Sequence, residues 1–367
     1  MTEHSALHGK LALFDGPGEP FRLKELRVRA LQPGEMLVRN IYTTICGSDL
    51  HTYCGLRQEP CPTVLGHEIV GEIVQLHPDH PGVDLFGEPL QPGDRVTWTI
   101  FSSDPASFHS LRGMPQKGDG LYKYGHVRVS GEEAFHGGLA EFCVLKAHTG
   151  IIKLPENMPA SVAATINCSV ATVAGALRMA GDVKDKNILI TGMGHLGITC
   201  AAMCREAGAA WIAAADITAK RVDDAQRFGA DGLFDMKNDQ AELRGILRER
   251  TGGKGIDIAF DMSGSPEAME FGLSCLGIGG CAVWIGAVFN TRPLQFSPEY
   301  IIRNLLTIKG LHNYNFDDFR YAFDFMRGNW EKYPFGSLVE KEFPLEAAKE
   351  AFEYALANRP LRVGVRL

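Results

Sequence analysis

The stretch that most constrains this chain is Ile188-Leu189-Ile190-Thr191 running into Gly192-Met193-Gly194-His195-Leu196-Gly197. The apolar run reads as a strand, and the residues after the loop read as a helix. The G-x-G-x-x-G spacing between them has one economical physical reading. The first glycine allows a tight turn, the second lets backbone approach a pyrophosphate, and the third lets the helix pack on the strand. The helix N-terminus would then face the phosphates with its positive dipole end. Gly192, Gly194, His195, Leu196 and Gly197 are therefore candidate cofactor-binding residues, His195 by its place in the loop rather than by any catalytic part.

The surrounding rhythm agrees. Strand-like runs at Asn187–Thr191, Trp211–Asp216, Gly232–Asp235, Ile256–Asp261, Cys281–Gly286 and Leu306–Lys309 alternate with helical ones at Leu196–Ala207, Ala219–Phe228, Gln240–Arg250 and Pro266–Leu276. Six strands in βαβ alternation predict a doubly wound parallel sheet. Asp216 ends the second strand, 22 residues past Gly194. A carboxylate there would take the adenosine ribose hydroxyls and repel a 2′-phosphate, which favours NAD over NADP. Lys220 and Arg221 follow closely, and Arg221 is counted as a cofactor-side candidate that could admit a 2′-phosphate.

A second stretch carries metal chemistry. Ile45-Cys46-Gly47-Ser48-Asp49-Leu50-His51 is followed by Gly66-His67-Glu68. Neither cluster is a metal site alone, and a third strong ligand is needed. Cys168, about a hundred positions downstream, opens an Ala-rich helix leading into the nucleotide-binding half and could reach the first-domain ligands across a cleft. A Cys/His/Cys set leaves zinc an open fourth position, which is the catalytic arrangement. Cys54 and Cys61 are rival third ligands, while Cys143, Cys200, Cys204, Cys275 and Cys281 fall in strand or helix patterns and read as core.

Ahead of the alternating half, residues 11 to about 155 read as short strands with Gly/Pro punctuation. Gln32-Pro33-Gly34-Glu35 and Gln91-Pro92-Gly93-Asp94 are turns, followed by strands at Met36–Ile45 and Arg95–Ile100. Further strands fit His67–Leu76, Ala140–Leu145 and Ile151–Leu154, so a small β-barrel or sandwich is expected. Phe101 to Gly138 is a polar stretch of little periodicity. After Gly310, Phe316–Arg327 and Leu345–Ala357 look helical, and Leu361–Leu367 looks like a last strand.

Composition excludes several classes. At 367 residues the chain suits two domains, and its 45% hydrophobic and 22% charged content is ordinary for a globular protein. A net charge of -7 argues against nucleic acid or an anionic membrane as partner. Met1 to Lys10 is polar with no apolar core, so no signal peptide is expected, and the apolar runs look too short to span a membrane. Nine scattered cysteines then suit reduced thiols in a cytoplasmic protein.

With those residues in view, the chain resembles the zinc-dependent medium-chain dehydrogenase/reductase family, the alcohol, polyol and threonine dehydrogenase type. The fold implied is α/β, a GroES-like β-barrel catalytic domain plus a Rossmann doubly wound parallel six-stranded sheet. Residues 1–160, completed by 311–367, would form the first domain and 161–310 the NAD-binding one. The resemblance implies Cys46, His67 and Cys168 as ligands of a catalytic zinc, with Glu68 able to approach the metal during ligand exchange. It implies that Asp49 holds the ring of His67, that Ser48 and His51 relay the proton, and that Arg362 meets the cofactor pyrophosphate.

One departure matters. Many members carry a structural zinc in a lobe spaced C-x2-C-x2-C-x7-C, and here that spacing falls on Asp104, Ser107, Ser110 and Gly118. A closed zinc site needs four N/S ligands, so none should bind. Packing through Phe108, Leu111, Tyr122 and Tyr124 is expected to hold the lobe instead. In many related chains this lobe takes part in oligomer contacts, and a homo-oligomer, dimer or tetramer, is implied. The runs Gly55 to Thr63 and Lys123-Tyr124-Gly125-His126 are most similar to the branch proposed to act in phosphonate catabolism.

The resulting reading is a zinc- and NAD-dependent dehydrogenase acting on a small-molecule alcohol: a secondary alcohol, a polyol or a hydroxyphosphonate-like compound. Two alternatives stand beside it. A zinc-free reductase of activated double bonds would lack the Cys/His/Cys set, and a metal assay separates the two. A non-catalytic nucleotide-binding protein could keep the fold, and turnover of any alcohol would remove that reading.

Overall fold

The computed structural model describes residues 7–367. The part of the signal-peptide reading that rests on residues 1–6 lies outside them. The chain divides into two compact units. The first comprises Met1–Cys168, Asn315–Arg327 and Phe335–Leu367; the second comprises Ser169–Tyr314 and Gly328–Pro334. Residues 161–168 thus sit with the first unit, and 311–314 and 328–334 with the second, where the sequence reading had them the other way round.

The first unit opens with a hairpin absent from the sequence reading, β1 (His8–Leu13) against β2 (Arg22–Arg27). Arg22-Leu23-Lys24-Glu25-Leu26-Arg27 is mostly charged and mostly exposed, so it carries no burial pattern to betray a strand. Then come β3 (Met36–Thr44), α1 (Gly47–Tyr53), β4 (Glu68–Leu76), β5 (Arg95–Trp98), β6 (Phe101–Ser102), β7 (Tyr122–Lys123), β8 (Phe142–Leu145) and β9 (Ile151–Lys153). Both expected turns form: Glu35 N donates to Gln32 O at 3.0 Å and Asp94 N to Gln91 O at 3.1 Å. A short helix α2 (Ala160–Ala163) and a π-helical turn, Ile166–Val170, end this part.

The second unit runs α3 (Ala171–Ala180), β10 (Asn187–Thr191), α4 (His195–Glu206), β11 (Trp211–Asp216), α5 (Ala219–Ala225), β12 (Gly232–Asp235), α6 (Gln240–Arg250), β13 (Ile256–Asp261), α7 (Pro266–Cys275), β14 (Leu276–Trp284), α8 (Pro298–Arg303) and β15 (Thr307–Gly310). Its six strands pair in parallel in the order β12-β11-β10-β13-β14-β15. The order reverses between β10 and β13, and ligands of such sheets bind at that switch, beyond the strands' carboxyl ends. β14 starts five residues earlier than Cys281, because Leu276-Gly277-Ile278-Gly279-Gly280 pairs through a register shift and shows no strand-like alternation.

The chain then returns through α9 (Phe316–Asn329), β16 (Val339–Pro344), α10 (Ala348–Asn358) and β17 (Arg362–Arg366). In the first unit β17 pairs antiparallel with β3, giving a seven-stranded sheet ordered β16-β17-β3-β4-β5-β9, with β8 also on β3. Its cores gather Leu11, Phe14, Leu65, Phe352 and Val365 on one side, and Val38, Ile69, Trp98 and Tyr124 on the other.

One expectation about length fails. Ala160–Ala180 forms a helical run of 21 residues with mean hydropathy 1.5, long and apolar enough to cross a membrane, and 83% of that window is buried within the protein. Ser161, Thr165, Asn167 and Ser169 interrupt the apolar letters of that run.

Candidate active site

The site grows from three short elements of the first unit. Cys46 caps α1, and its N–H donates to Asp49 Oδ2 at 3.0 Å. His67 directly precedes β4. Cys168 lies in the π-helical turn, and its neighbour Asn167 donates to the His67 carbonyl at 3.0 Å. The wider turn, a form often found at functional positions, and that bond bring Cys168 to Cys46 and His67. Their sulfur and imidazole nitrogen atoms all lie within 4.8 Å of one another. Cys168 belongs to the same unit as Cys46 and His67, so the expected reach across a cleft is replaced by a set contained in one unit.

The electrostatics suit a metal. The hydrogen bond from Cys168 draws the Cys46 thiol well below its ordinary range against the cost of burial, with Arg362 and His67 adding to it. The same hydrogen bond, with burial, pushes Cys168 well above. Burial pushes His67 down, but Asp49 and Cys46 outweigh it and raise the imidazole to about 10. A divalent cation would displace these protons, and a Cys/His/Cys donor set fits zinc with one position open.

Ring orientation follows from the neighbours. Asp49, fully buried, places Oδ1 3.3 Å from His67 Nδ1, and that same oxygen accepts from Gly66 N at 3.2 Å. Nε2 is left toward the sulfurs, with Ser48 Oγ 3.4 Å away. His51 lies one turn after Ser48 on α1, half-buried, and burial lowers its pKa from the ordinary histidine value.

Glu68 and Arg362 form a buried bidentate pair: Nε to Oε2 at 2.8 Å and Nη2 to Oε1 at 2.8 Å, with Thr44 Oγ1 also donating to the carboxylate. Arg362 Nη1 donates to its neighbour's carbonyl, and Nη2 lies 4.0 Å from Cys46 Sγ. The arginine expected at a pyrophosphate therefore spends its donors on the carboxylate expected near the metal.

Cys54 is exposed and Cys61 half-buried, and neither joins the ligand group. All nine cysteines are free thiols, and of the five read as core four are buried and Cys281 half-buried.

In the second unit the glycine loop has the form its spacing requires. Gly192 has φ of +90°, and a Cβ there would meet Ser263 at 2.7 Å. A Cβ on Gly197 would meet the Gly192 carbonyl at 2.0 Å, while one on Gly194 would meet nothing within 4 Å. Only the middle glycine faces open space, at the N-terminus of α4, which fits a phosphate held by backbone. His195 and Leu196 begin that helix, with His195 buried. Asp216 is buried at the end of β11 and accepts from Met193 N at 2.6 Å and Thr218 N at 2.8 Å, so it braces the loop. Arg221 is on the first turn of α5.

The vacated lobe closes by hydrogen bonds. Ser107 Oγ donates to Ser110 Oγ at 2.9 Å, Ser103 Oγ to the Pro115 carbonyl at 2.7 Å, and Asp104 N to the Asp119 carbonyl at 2.9 Å. A Cβ on Gly118 would lie 2.4 Å from Ser110 Oγ. Three of the four positions that would carry cysteine are thus packed together. The expected aromatic packing is only half present. Phe108 and Leu111 are 58% and 75% exposed, whereas Tyr124 is fully buried, bonded to Thr149 and packed edge-on to Trp98.

Comparison with known proteins agrees with this geometry. Residues 32–156 match the alcohol dehydrogenase GroES-like domain, and residues 195–328 match the zinc-binding dehydrogenase domain. The alcohol dehydrogenase class-P of Arabidopsis thaliana is 28% identical over 394 residues, covering 98% of each chain. The L-threonine 3-dehydrogenase of Aeromonas hydrophila is 27% identical over 337 residues, covering 80% of this chain and 89% of that one. The alcohol dehydrogenase of Thermotoga maritima superposes with a TM-score of 0.92 at 25% identity, covering 98% and 99%. A Sinorhizobium meliloti protein described as a zinc-binding dehydrogenase and bound to NADP superposes at 0.85 with 19% identity, covering 98% and 100%.

The chain belongs to the zinc-dependent medium-chain dehydrogenase/reductase family of alcohol dehydrogenases. Its reaction class is that of an alcohol oxidoreductase with zinc and a nicotinamide cofactor.

Proposed function

We propose that the chain transfers hydride between an alcohol and NAD, using one catalytic zinc per subunit, held by Cys46, His67 and Cys168, and no structural zinc. The substrate is a secondary alcohol, a polyol or a hydroxyphosphonate-like compound. The observation that carries the reading is the convergence of those three ligand atoms within 4.8 Å beside Ser48.

When bound, zinc acts as a Lewis acid toward a hydroxyl at its open position, and the nicotinamide takes the hydride. The remaining work falls to side chains. Ser48 Oγ, on the Nε2 side of His67, accepts the substrate hydroxyl proton as it passes on its own. His51 is kept neutral by burial at physiological pH and takes that proton toward solvent. Asp49 holds the His67 tautomer, with Nδ1–H toward its carboxylate. Glu68 keeps Arg362, a full positive charge, beside the Cys46 sulfur. On the dinucleotide side, Asp216 accepts from the adenosine ribose hydroxyls and disfavours a 2′-phosphate. Gly192, Gly194 and Gly197 shape the phosphate cradle, with His195 and Leu196 in its wall and Arg221 at its margin.

A cytoplasmic homo-oligomer, dimer or tetramer, completes the proposal. Elemental analysis should return one zinc per subunit, and two would overturn the ligand assignment. NADH absorbance across a panel of alcohols, polyols and hydroxyphosphonates should find a substrate. A zinc-loaded protein inert to all of them would sink the reading.

A further inference from the structure

The strand that feeds the glycine loop, β10, lies between β11 and β13, and each of those neighbours ends in a buried aspartate, Asp216 and Asp261. Asp216 holds the loop from one side through Met193 N. Asp261, 2% exposed, stands on the other. Its Oδ1 accepts from Ser263 Oγ at 2.6 Å and from Ser263 N at 3.2 Å, and its Oδ2 accepts from Gly264 N at 2.9 Å. Thr191 Oγ1, directly before Gly192, lies 3.2 Å from Asp261 Oδ1 and 3.4 Å from the Phe260 carbonyl. Ser263 Oγ accepts from Ser265 N at 3.0 Å, so its own proton is directed at the carboxylate. The Asp261 carbonyl accepts from Ile285 N at 3.1 Å and Gly286 N at 3.3 Å, just past β14.

These bonds hold a contact that leaves no slack. A side-chain carbon on Gly192 would lie 2.7 Å from Ser263 N, one on Gly264 would lie 2.6 Å from the Gly286 carbonyl oxygen, and one on Gly286 would lie 2.1 Å from Gly264 N. Backbone following β10, β13 and β14 is thus stacked with nothing between, at the carboxyl ends where the strand order reverses and such sheets bind their ligands. An aspartate that bonds the N–H groups of its own turn is ordinary turn chemistry. Two features carry Asp261 beyond that. It takes a hydroxyl from the neighbouring strand, one residue before the loop, and the turn it pins abuts Gly192 itself. A shift of Ser263 is therefore transmitted to Gly192, the residue that starts the loop leading to the N-terminus of α4.

We propose that Asp261 is a positioning residue for the nicotinamide cofactor: it fixes Ser263 against Gly192 and so sets the backbone cradle that receives the pyrophosphate. This inference rests on the reading of the glycine loop as the cofactor's cradle and names a side chain on which that cradle depends.

The test titrates the zinc-loaded protein with NADH, followed by nucleotide fluorescence. Asp261→Asn keeps the size of the side chain but turns an N–H donor toward groups that are themselves donors. The Kd for NADH should rise about tenfold or more, the usual worth of hydrogen bonds to a charged group. Zinc content should stay at the wild-type level, because the proposed ligands belong to the other unit. Thr191→Val removes one donor and should raise the Kd about two- to fivefold, whereas Thr191→Ser keeps the hydroxyl and should bind as wild type. That pair carries the test even if Asp261→Asn does not fold. NADH affinity unchanged in both Asp261→Asn and Thr191→Val would overturn the proposal and leave the cofactor reading standing. Thr191→Ser as impaired as Thr191→Val would also overturn it, since packing rather than the bond to Asp261 would then be responsible. A wild-type protein that takes up no NADH or NADPH would overturn the cofactor reading and this inference with it.

Discussion

Asp49 Oδ1 stands 3.3 Å from His67 Nδ1, with the carboxylate entirely buried. The contact directs Nε2 at the two sulfurs. The same carboxylate accepts the Cys46 and Gly66 N–H groups, so one side chain steadies two of the proposed zinc ligands at once. Asp49→Asn keeps the shape but loses the charge that favours Nδ1–H. Zinc affinity, measured by competition with a chromophoric chelator, should fall about ten- to a hundredfold. Unchanged affinity would show that the Cys46 and Cys168 sulfurs alone determine binding.

Cys46→Ala removes a ligand outright. Zinc content and turnover should both collapse, while NAD affinity by fluorescence titration stays within about twofold, since the glycine loop and Asp216 belong to the other unit. A parallel loss of NAD binding would mean that Cys46 supports the whole fold rather than a metal.

The Glu68–Arg362 pair is the most buried bidentate contact of the site. Glu68→Gln leaves the guanidinium buried without its counter-charge, and such losses cost about 3–5 kcal/mol. Urea denaturation should show an unfolding free energy lower by that amount, with partial recovery when Arg362→Gln is added. A single mutant as stable as wild type would imply that Arg362 finds solvent or another acceptor when released.

Asp216 has two duties that one substitution separates. Asp216→Ser should narrow the preference for NAD over NADP, because the repulsion of a 2′-phosphate is gone. It should also weaken NAD itself, since Met193 N loses its acceptor. A wild-type preference for NADP would transfer the decision to Lys220 or Arg221.

His51 sets a pH test. Burial lowers its pKa, so the imidazole is neutral and able to accept a proton at neutral pH, and it protonates only as pH falls through that lowered value. Wild-type alcohol oxidation should therefore persist into mildly acid solution. His51→Gln should lose most between that point and neutrality, where hydroxide and buffer cannot act as base, and a small added base should restore part of the rate. An unchanged pH–rate profile would remove His51 from the proton path.

Much of this was legible in the sequence because it depends on neighbours. Strands at Asn187–Thr191, Trp211–Asp216, Gly232–Asp235 and Ile256–Asp261 show as apolar runs between helical periods, and the Pro-Gly turns show as dipeptides. The loop glycines and the Cys46, His67 and Cys168 positions carry their chemistry in residue type and spacing. Tertiary structure alone decided how distant segments share charge. Arg362 and Glu68 are 294 positions apart, and the arginine meets the carboxylate because β17 returns to pair with β3, itself the neighbour of β4. Glu59 and His126 meet only when the polar stretch after Phe101 folds back toward β4, and the exposed β2 strand forms because β1 supplies its partner. Periodicity reports which face of an element is buried. It cannot report which opposite charge will be waiting there, since burial and pairing of ions are settled jointly by both partners once the chain has closed.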